Sequence, residues 1–316
     1  MKLAVTLGDP RGIGPEVVAK AVRQLLDRRS SERSELILIG PNGTGAEGLA
    51  DHFIPIGDWD NSGDLIEAGR LAGRSIERAT ELALSGEVAG IVTAPIDKAA
   101  LNLAGYSYPG HTEMLAELAG APEVAMMMVT EETPLGGPLR IILATTHIPL
   151  AEVPTRLTIE LISGQARLAA HALERGWALT DPKIAVCALN PHASDGGLFG
   201  DEEARVLEPA VEALSAEGYS LAGPIPADTI FLRALGGEFD LVIVPYHDLG
   251  MAVFKTISFG RGVNLTVGLP FVRTSPDHGT AIGIAGTGRA DPRSMVAAIE
   301  LAERLGRNWG SPQQMR

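Results

Sequence analysis

Arg140-Ile-Ile-Leu-Ala-Thr-Thr-His147, Ile184-Ala-Val-Cys-Ala-Leu-Asn-Pro-His192 and Leu241-Val-Ile-Val-Pro-Tyr-His247 share one layout, a short apolar run followed by a histidine. Runs this short, continuous and rich in Ile and Val fit strands of a parallel sheet buried on both faces. Each imidazole then falls near the C-terminal end of its strand, where open α/β sheets bind ligands. Three neutral imidazoles meeting there form an open divalent-metal site, with positions left over for substrate. Any one of these rings alone reads more simply as a hydrogen-bonded histidine. As a set of three they favour a metal.

Outward from these runs, short apolar segments alternate with longer amphipathic ones, the pattern of βα repetition around a largely parallel sheet. Strands are predicted over 2–7, 35–40, 88–93, 124–129, 139–145, 184–189, 240–245 and 263–268. Helices are predicted over 15–28, 64–86, 112–119, 155–176, 201–217, 227–235 and 292–307. Pro15 suits a first helical turn, and the acidic run Asp201-Glu-Glu203 suits a helix start, where the dipole favours negative charge. The segment Glu131-Glu-Thr-Pro-Leu-Gly-Gly-Pro138 reads as a hairpin loop. No low-complexity linker separates two halves, so two domains would have to be crossed more than once, with a cleft between them as the expected binding position.

At 316 residues and 45% hydrophobic, the chain can bury two cores; its net charge of −13 argues against a nucleic-acid or anionic-membrane partner. A few local cations would still serve one small anionic substrate. The single Cys187, inside an apolar run, excludes a Cys-rich metal site and reads as a small buried hydrophobe. No run reaches the ~20 apolar residues of a membrane span, and the N-terminal apolar stretch is too short for a signal peptide. A cytoplasmic location is expected.

Gly8-Asp-Pro-Arg-Gly-Ile-Gly-Pro-Glu16 follows a strand and opens a helix, but it lacks the dinucleotide fingerprint. A structural glycine turn is favoured over phosphate binding. In Tyr108-Pro-Gly-His111-Thr112-Glu113, His111 and Thr112 start a helix, either as an anion site or with Thr112 as a simple N-cap. Asp248 is placed to orient an imidazole, ligate the ion or act as a base. Lys255, Arg261, Asn264 and Arg273 form a polar, cationic stretch suited to a substrate with carboxylate and phosphate groups. His278 lies in a tight loop; His52 and His171 read as surface or loop residues.

Several of these blocks, with Thr93-Ala-Pro-Ile-Asp-Lys98, Pro226-Ala-Asp-Thr229 and Arg273-Thr-Ser-Pro-Asp-His-Gly-Thr280, closely resemble the 4-hydroxythreonine-4-phosphate dehydrogenase family of vitamin B6 biosynthesis. The resemblance runs in order across nearly the whole chain. It implies two α/β/α domains of the isocitrate and isopropylmalate dehydrogenase type with a cleft between them. The first domain is expected over 1–105 plus 272–316; the second, over 106–271, is expected to carry the metal site and dimer interface. It implies a homodimer with active sites shared between subunits, and His147, His192 and His247 as ligands of Zn, Mg, Co or Mn, with His247 supplied by the partner. His111, Thr112, Lys255, Asn264 and Arg273 are its implied substrate-binding positions, and NAD or NADP its coenzyme. The sequence departs from the family at Leu249, where a Gln is usual.

The expected reaction is metal-dependent oxidation of 4-phosphooxy-L-threonine at its C3 hydroxyl, with Asp248 or Lys255 as the base. The resulting 2-amino-3-oxo-4-phosphooxybutanoate is a β-keto acid and loses CO₂ to give 3-amino-2-oxopropyl phosphate. The nearest alternative substrates are 4-phospho-D-threonate and erythronate. A metallohydrolase is the more distant alternative, because three histidines around an ion can equally activate water.

Overall fold

The computed structural model describes residues 1–27 and 33–310 and divides into two compact units, Met1–Val124 with Val263–Arg316, and Ala125–Gly262. Residue 28, predicted to end the first helix, lies outside the described residues. The first segment of unit 1 carries β1 (Lys2–Thr6), α1 (Gly14–Asp27), β2 (Glu35–Asn42), β3 (His52–Asp58), α2 (Leu65–Leu84), β4 (Gly90–Thr93), α3 (Lys98–Leu103) and α4 (His111–Ala119). Unit 2 carries β5 (Ala125–Thr130), β6 (Leu139–Thr145), α5 (Val153–Arg156), α6 (Ile159–Trp177), β7 (Ile184–Cys187), α7 (Glu208–Ala216), β8 (Leu221–Ile225), α8 (Ala227–Leu235), β9 (Leu241–Tyr246) and α9 (His247–Ser258). The chain returns to unit 1 with β10 (Val263–Val267), β11 (Val272–Pro276) and α10 (Arg293–Asn308).

In unit 1 the strands run in the order β3-β2-β1-β4-β11-β10, parallel except for the antiparallel β10–β11 pair. In unit 2 the order is β5-β6-β9-β7-β8, parallel except for β5–β6, the hairpin expected around 131–138. The histidine-bearing strands β6, β9 and β7 are therefore consecutive neighbours. All four residues of β7 and all seven of β6 are buried, as continuous apolar runs in a parallel sheet require. Cys187 is fully buried within β7.

The domain boundaries differ from those expected. Residues 106–124 and 263–271, assigned from the sequence to the second domain, belong to unit 1. Met114, Leu115, Leu269 and Phe271 join a core with Ile37, Ile39, Ile76 and Ile91, so apolar burial ties them there. The helix expected over 155–176 is also interrupted. Leu157 is extended, and the Thr158 hydroxyl accepts from Leu161 N at 3.1 Å to restart the helix at Ile159. No helix among the described residues is long and apolar enough to cross a membrane.

Close backbone packing accounts for two glycines of the turn at the start of the chain. A Cβ at Gly14 would lie 2.3 Å from the Leu7 carbonyl oxygen, and Gly8 combines a φ of +71° with equally close approach to the Pro95 carbonyl.

Candidate active site

Two of the three strand-end histidines meet within one chain. In the β6–β9 ladder Thr145 pairs with Tyr246, and Thr145 Oγ1 donates to the Pro245 carbonyl at 2.7 Å, locking the two strand ends together. Two residues beyond Thr145 and one beyond Tyr246, the rings of His147 and His247 lie with centroids 5.3 Å apart. His247 begins α9, and its Nδ1 lies 2.7 Å from Asp248 Oδ1. A carboxylate on Nδ1 favours the tautomer that turns the Nε2 lone pair outward, the usual support for a metal-ligating imidazole.

His192 stands apart from that pair in sequence and in backbone. It follows β7 in a tight turn where His192, Ala193, Ser194 and Asp195 have φ of 53°, 54°, 66° and 45°. Four consecutive non-glycine residues in the left-handed region are costly and persist only where the surroundings hold them. Glu203 holds this turn. Its side chain is buried and accepts from Leu189 N (2.9 Å), Asn190 N (2.7 Å), Asn190 Nδ2 (2.9 Å) and the Ser194 hydroxyl. Burial pushes the Glu203 carboxyl up, but hydrogen bonds from Asn190 and Ser194 outweigh it and hold the group below its ordinary value. In the sequence, Glu203 stands out only as part of an acidic helix start.

Among the described residues of this chain, no group of three His, Cys, Asp or Glu side chains converges on one point. The donors suit a divalent ion in kind, and one chain brings two of them together. Among the described residues, no third donor joins them. Leu249 packs against the core cluster of Val242, Val244 and Phe254, so this departure from the family pattern contributes apolar burial.

The substrate-binding candidates of unit 1 form a second cluster. Arg273, on β11, is 2% exposed; its Nη1 donates to Thr266 Oγ1 at 2.9 Å and its Nη2 to Thr93 Oγ1 at 2.7 Å. Its Nε has no partner, and burial lowers its pKa to about 10, which leaves it a cation at neutral pH. His111 opens α4 with Nε2 shut away from solvent and unpartnered. Burial, then the charges of Arg273 and Lys98, push its pKa well below the ordinary value. Asn264 Oδ1 on β10 is likewise enclosed without a partner. A buried guanidinium bonded to hydroxyls, beside a neutral imidazole and an unsatisfied amide, suits an anion.

The helix cap there differs from expectation. Gly110 is the N-cap of α4 and no side chain caps it, so Thr112 is a first-turn residue. Lys98 and Thr93, the two ends of the motif Thr93-Ala-Pro-Ile-Asp-Lys98, also belong to this cluster, with no local signal in the sequence that marks them out. Lys255 is exposed on α9, two turns beyond Asp248 and so on the same helical face. His278 Nδ1 lies 3.2 Å from the Gly279 carbonyl oxygen, consistent with a turn-stabilising role, and its Nε2 is enclosed without a partner.

Unit 1 also contains a cavity of about 640 Å³, bounded by the start of α1, the turns at 43–44 and 59–63, and the loop 285–288. Gly63, Gly286 and Gly288 line it, and a Cβ on any of them would project into open space. Such a backbone cradle fits an extended ligand in size and in access to peptide groups.

The profile of the pyridoxal phosphate biosynthetic protein PdxA family matches residues 52–302. A 4-hydroxythreonine-4-phosphate dehydrogenase of Aromatoleum aromaticum is 43% identical, with 95% of each chain covered. A D-threonate 4-phosphate dehydrogenase of Pectobacterium atrosepticum is 39% identical over 96% of this chain and 98% of its own. The crystal structure of a 4-hydroxythreonine-4-phosphate dehydrogenase from Klebsiella pneumoniae superposes with a TM-score of 0.84 at 40% identity, covering 96% and 99% of the two chains. The α/β fold expected from the strand pattern and the chemistry expected from the motifs thus meet in one conclusion: this chain is a member of the PdxA family of dehydrogenases.

Proposed function

We propose that the chain oxidises 4-phosphooxy-L-threonine in an NAD(P)-linked reaction, and that a divalent ion held by His147, His192 and His247 is required. The observation that carries this reading is the 5.3 Å approach of the His147 and His247 ring centroids, with Asp248 at His247 Nδ1 leaving Nε2 for the ion. A divalent ion at these nitrogens supplies Lewis-acid polarisation of the C3 hydroxyl, and a bound nicotinamide ring supplies the hydride acceptor. His147 and His247 form one chain's share of the ligand set. His192 is the ligand left to a second copy in a homodimer with shared sites, in place of His247 as the family resemblance implied.

The chain's own groups divide the remaining work. Arg273, His111, Thr112 and Asn264 receive the anionic, hydrogen-bonding end of the substrate. The fixed guanidinium supplies charge, and the neutral imidazole adds a hydrogen bond without further repulsion. Asp248 is committed to His247 and serves as a positioning residue. Lys255, on the same helical face, takes the hydroxyl proton. The cavity of unit 1 takes the dinucleotide.

The 4-phospho-D-threonate reading keeps every one of these roles and exchanges amine for hydroxyl; the identity to the Pectobacterium enzyme favours it as the second reading. Steady-state kinetics on both acids test the choice. A higher kcat/KM for 4-phosphooxy-L-threonine is expected, and a large preference for the threonate overturns it.

A further inference from the structure

We propose that Arg23 sets the coenzyme preference of this chain, selecting a dinucleotide phosphorylated on the adenosine ribose (NADP) over the unphosphorylated form (NAD). The inference rests on the reading that the unit 1 cavity takes the coenzyme. Helix α1 turns Pro15, Glu16, Ala19, Lys20 and Arg23 toward that cavity, a stripe at helical spacing.

Three cations lie along the cavity, and two are committed. Arg11 donates to Asp9 through Nε at 3.1 Å and Nη2 at 2.6 Å, and Nη2 also reaches Asp97 Oδ2 at 3.0 Å. Lys20 Nζ donates to Glu16 Oε1 and to the carbonyls of Gly288 and Ala290 at 2.7–2.8 Å, which uses all three of its protons. Arg23 is exposed and makes no hydrogen bond or ion pair among the described residues. Among the described residues it is the one cation along the cavity free to meet an incoming anion.

The cavity also has a direction. Arg11 is bonded to Asp97, whose chain neighbour Lys98 belongs to the Arg273–His111 cluster, so this end adjoins the substrate residues. Arg23 lies nine residues past the start of α1 at Gly14, about 14 Å along the helix axis. The nicotinamide must reach the reacting carbon at the substrate end, which sends the adenosine ribose toward Arg23. A 2′-phosphate there meets an uncommitted guanidinium, whose planar fork matches phosphate oxygens two at a time. NAD presents only a hydroxyl at the same place.

Two kinds of measurement test this: calorimetric binding of adenosine 2′,5′-bisphosphate and of 5′-AMP, and KM values for NADP and NAD. The wild type is expected to bind the bisphosphate about 10-fold tighter than AMP, and Arg23→Glu to raise the bisphosphate Kd and the NADP KM about 10-fold or more. AMP affinity, NAD KM and kcat with NAD are expected to stay within about twofold. Equal shifts for both nucleotides, or no shift for either, overturn the proposal. Ala19→Phe tests the underlying reading separately, because it fills the cavity without changing charge. Weakened binding of all four ligands supports the cavity as the coenzyme site. Unchanged binding of all four removes that reading, and the role of Arg23 with it.

Discussion

Glu203 grips Asn190 at two points: its Oε1 accepts from the backbone N–H at 2.7 Å and its Oε2 from the side-chain Nδ2 at 2.9 Å. Asn190 stands two residues before His192, at the entry to the left-handed turn, so one buried carboxylate fixes the backbone that aims this imidazole. Glu203→Gln replaces one acceptor oxygen with a donor that faces N–H groups. The variant is expected to lose about 10- to 100-fold in metal affinity, as other supporting partners of ligand residues do. Titration of the metal-free protein with zinc or cobalt checks this; unchanged affinity would show that the turn holds without the clamp.

The pairing of His147 with His247 in one chain predicts a pattern of complementation between variants. Mixed dimers of His147→Ala and His192→Ala chains are expected to regain one complete ligand set per dimer, and with it about half of the wild-type activity per mixed dimer. Mixed dimers of His147→Ala and His247→Ala are expected to regain none, since both losses fall on the same chain's share. Recovery in the second mixture and not the first would transfer His247 to the partner.

Asp248 and Lys255 share a face of α9, and the proposed division of work between them predicts that their variants fail differently. Lys255→Met is expected to lower kcat by about 10²- to 10⁴-fold with metal affinity retained. Asp248→Asn leaves His247 without its carboxylate and is expected to weaken metal binding first, with kcat recovering as the ion is raised to saturation. Activity measured across a metal titration separates the two.

His111 links the substrate cluster to pH. Burial, reinforced by Arg273 and Lys98, holds its folded pKa well below the ordinary 6.5. The unfolded chain takes up a proton near that ordinary value and the folded chain does not. Its contribution to stability is therefore complete above about pH 6.5 and is lost progressively as the pH falls below it. Urea unfolding at several pH values is expected to show a shallower decline below about 6.5 in His111→Asn than in the wild type. Parallel declines would mean that His111 titrates normally.

The apolar runs before the three histidines were legible because parallel strands buried on both faces leave an uninterrupted hydrophobic signature. The hairpin at 131–138 was legible from its turn residues. Strands β3, β8 and β11 were not, since Pro55, Gly57, Gly223, Pro224 and Pro276 read locally as turn or breaker residues. Helix α9 was hidden by Gly250. A Cβ there would lie 2.7 Å from Leu143 Cδ2 and 2.8 Å from Val244 Cγ2, so that glycine reflects close packing of α9 on β6 and β9 and not a loop. The candidate site residues stand out by type; the groups that support them do so less. Whether an acidic residue near a helix start faces water, as dipole arguments assume, or turns inward as Glu203 does, depends on burial that appears only once the strands are assembled.

If His147, His192 and His247 hold an ion on which the oxidation depends, removing that ion abolishes turnover. The protein is stripped of metal, then NADH or NADPH formation from 4-phosphooxy-L-threonine is followed while a divalent ion is titrated back. No turnover in the stripped protein, and recovery that saturates at one ion per active site, is the predicted result. Full turnover in protein shown by elemental analysis to be metal-free would contradict it.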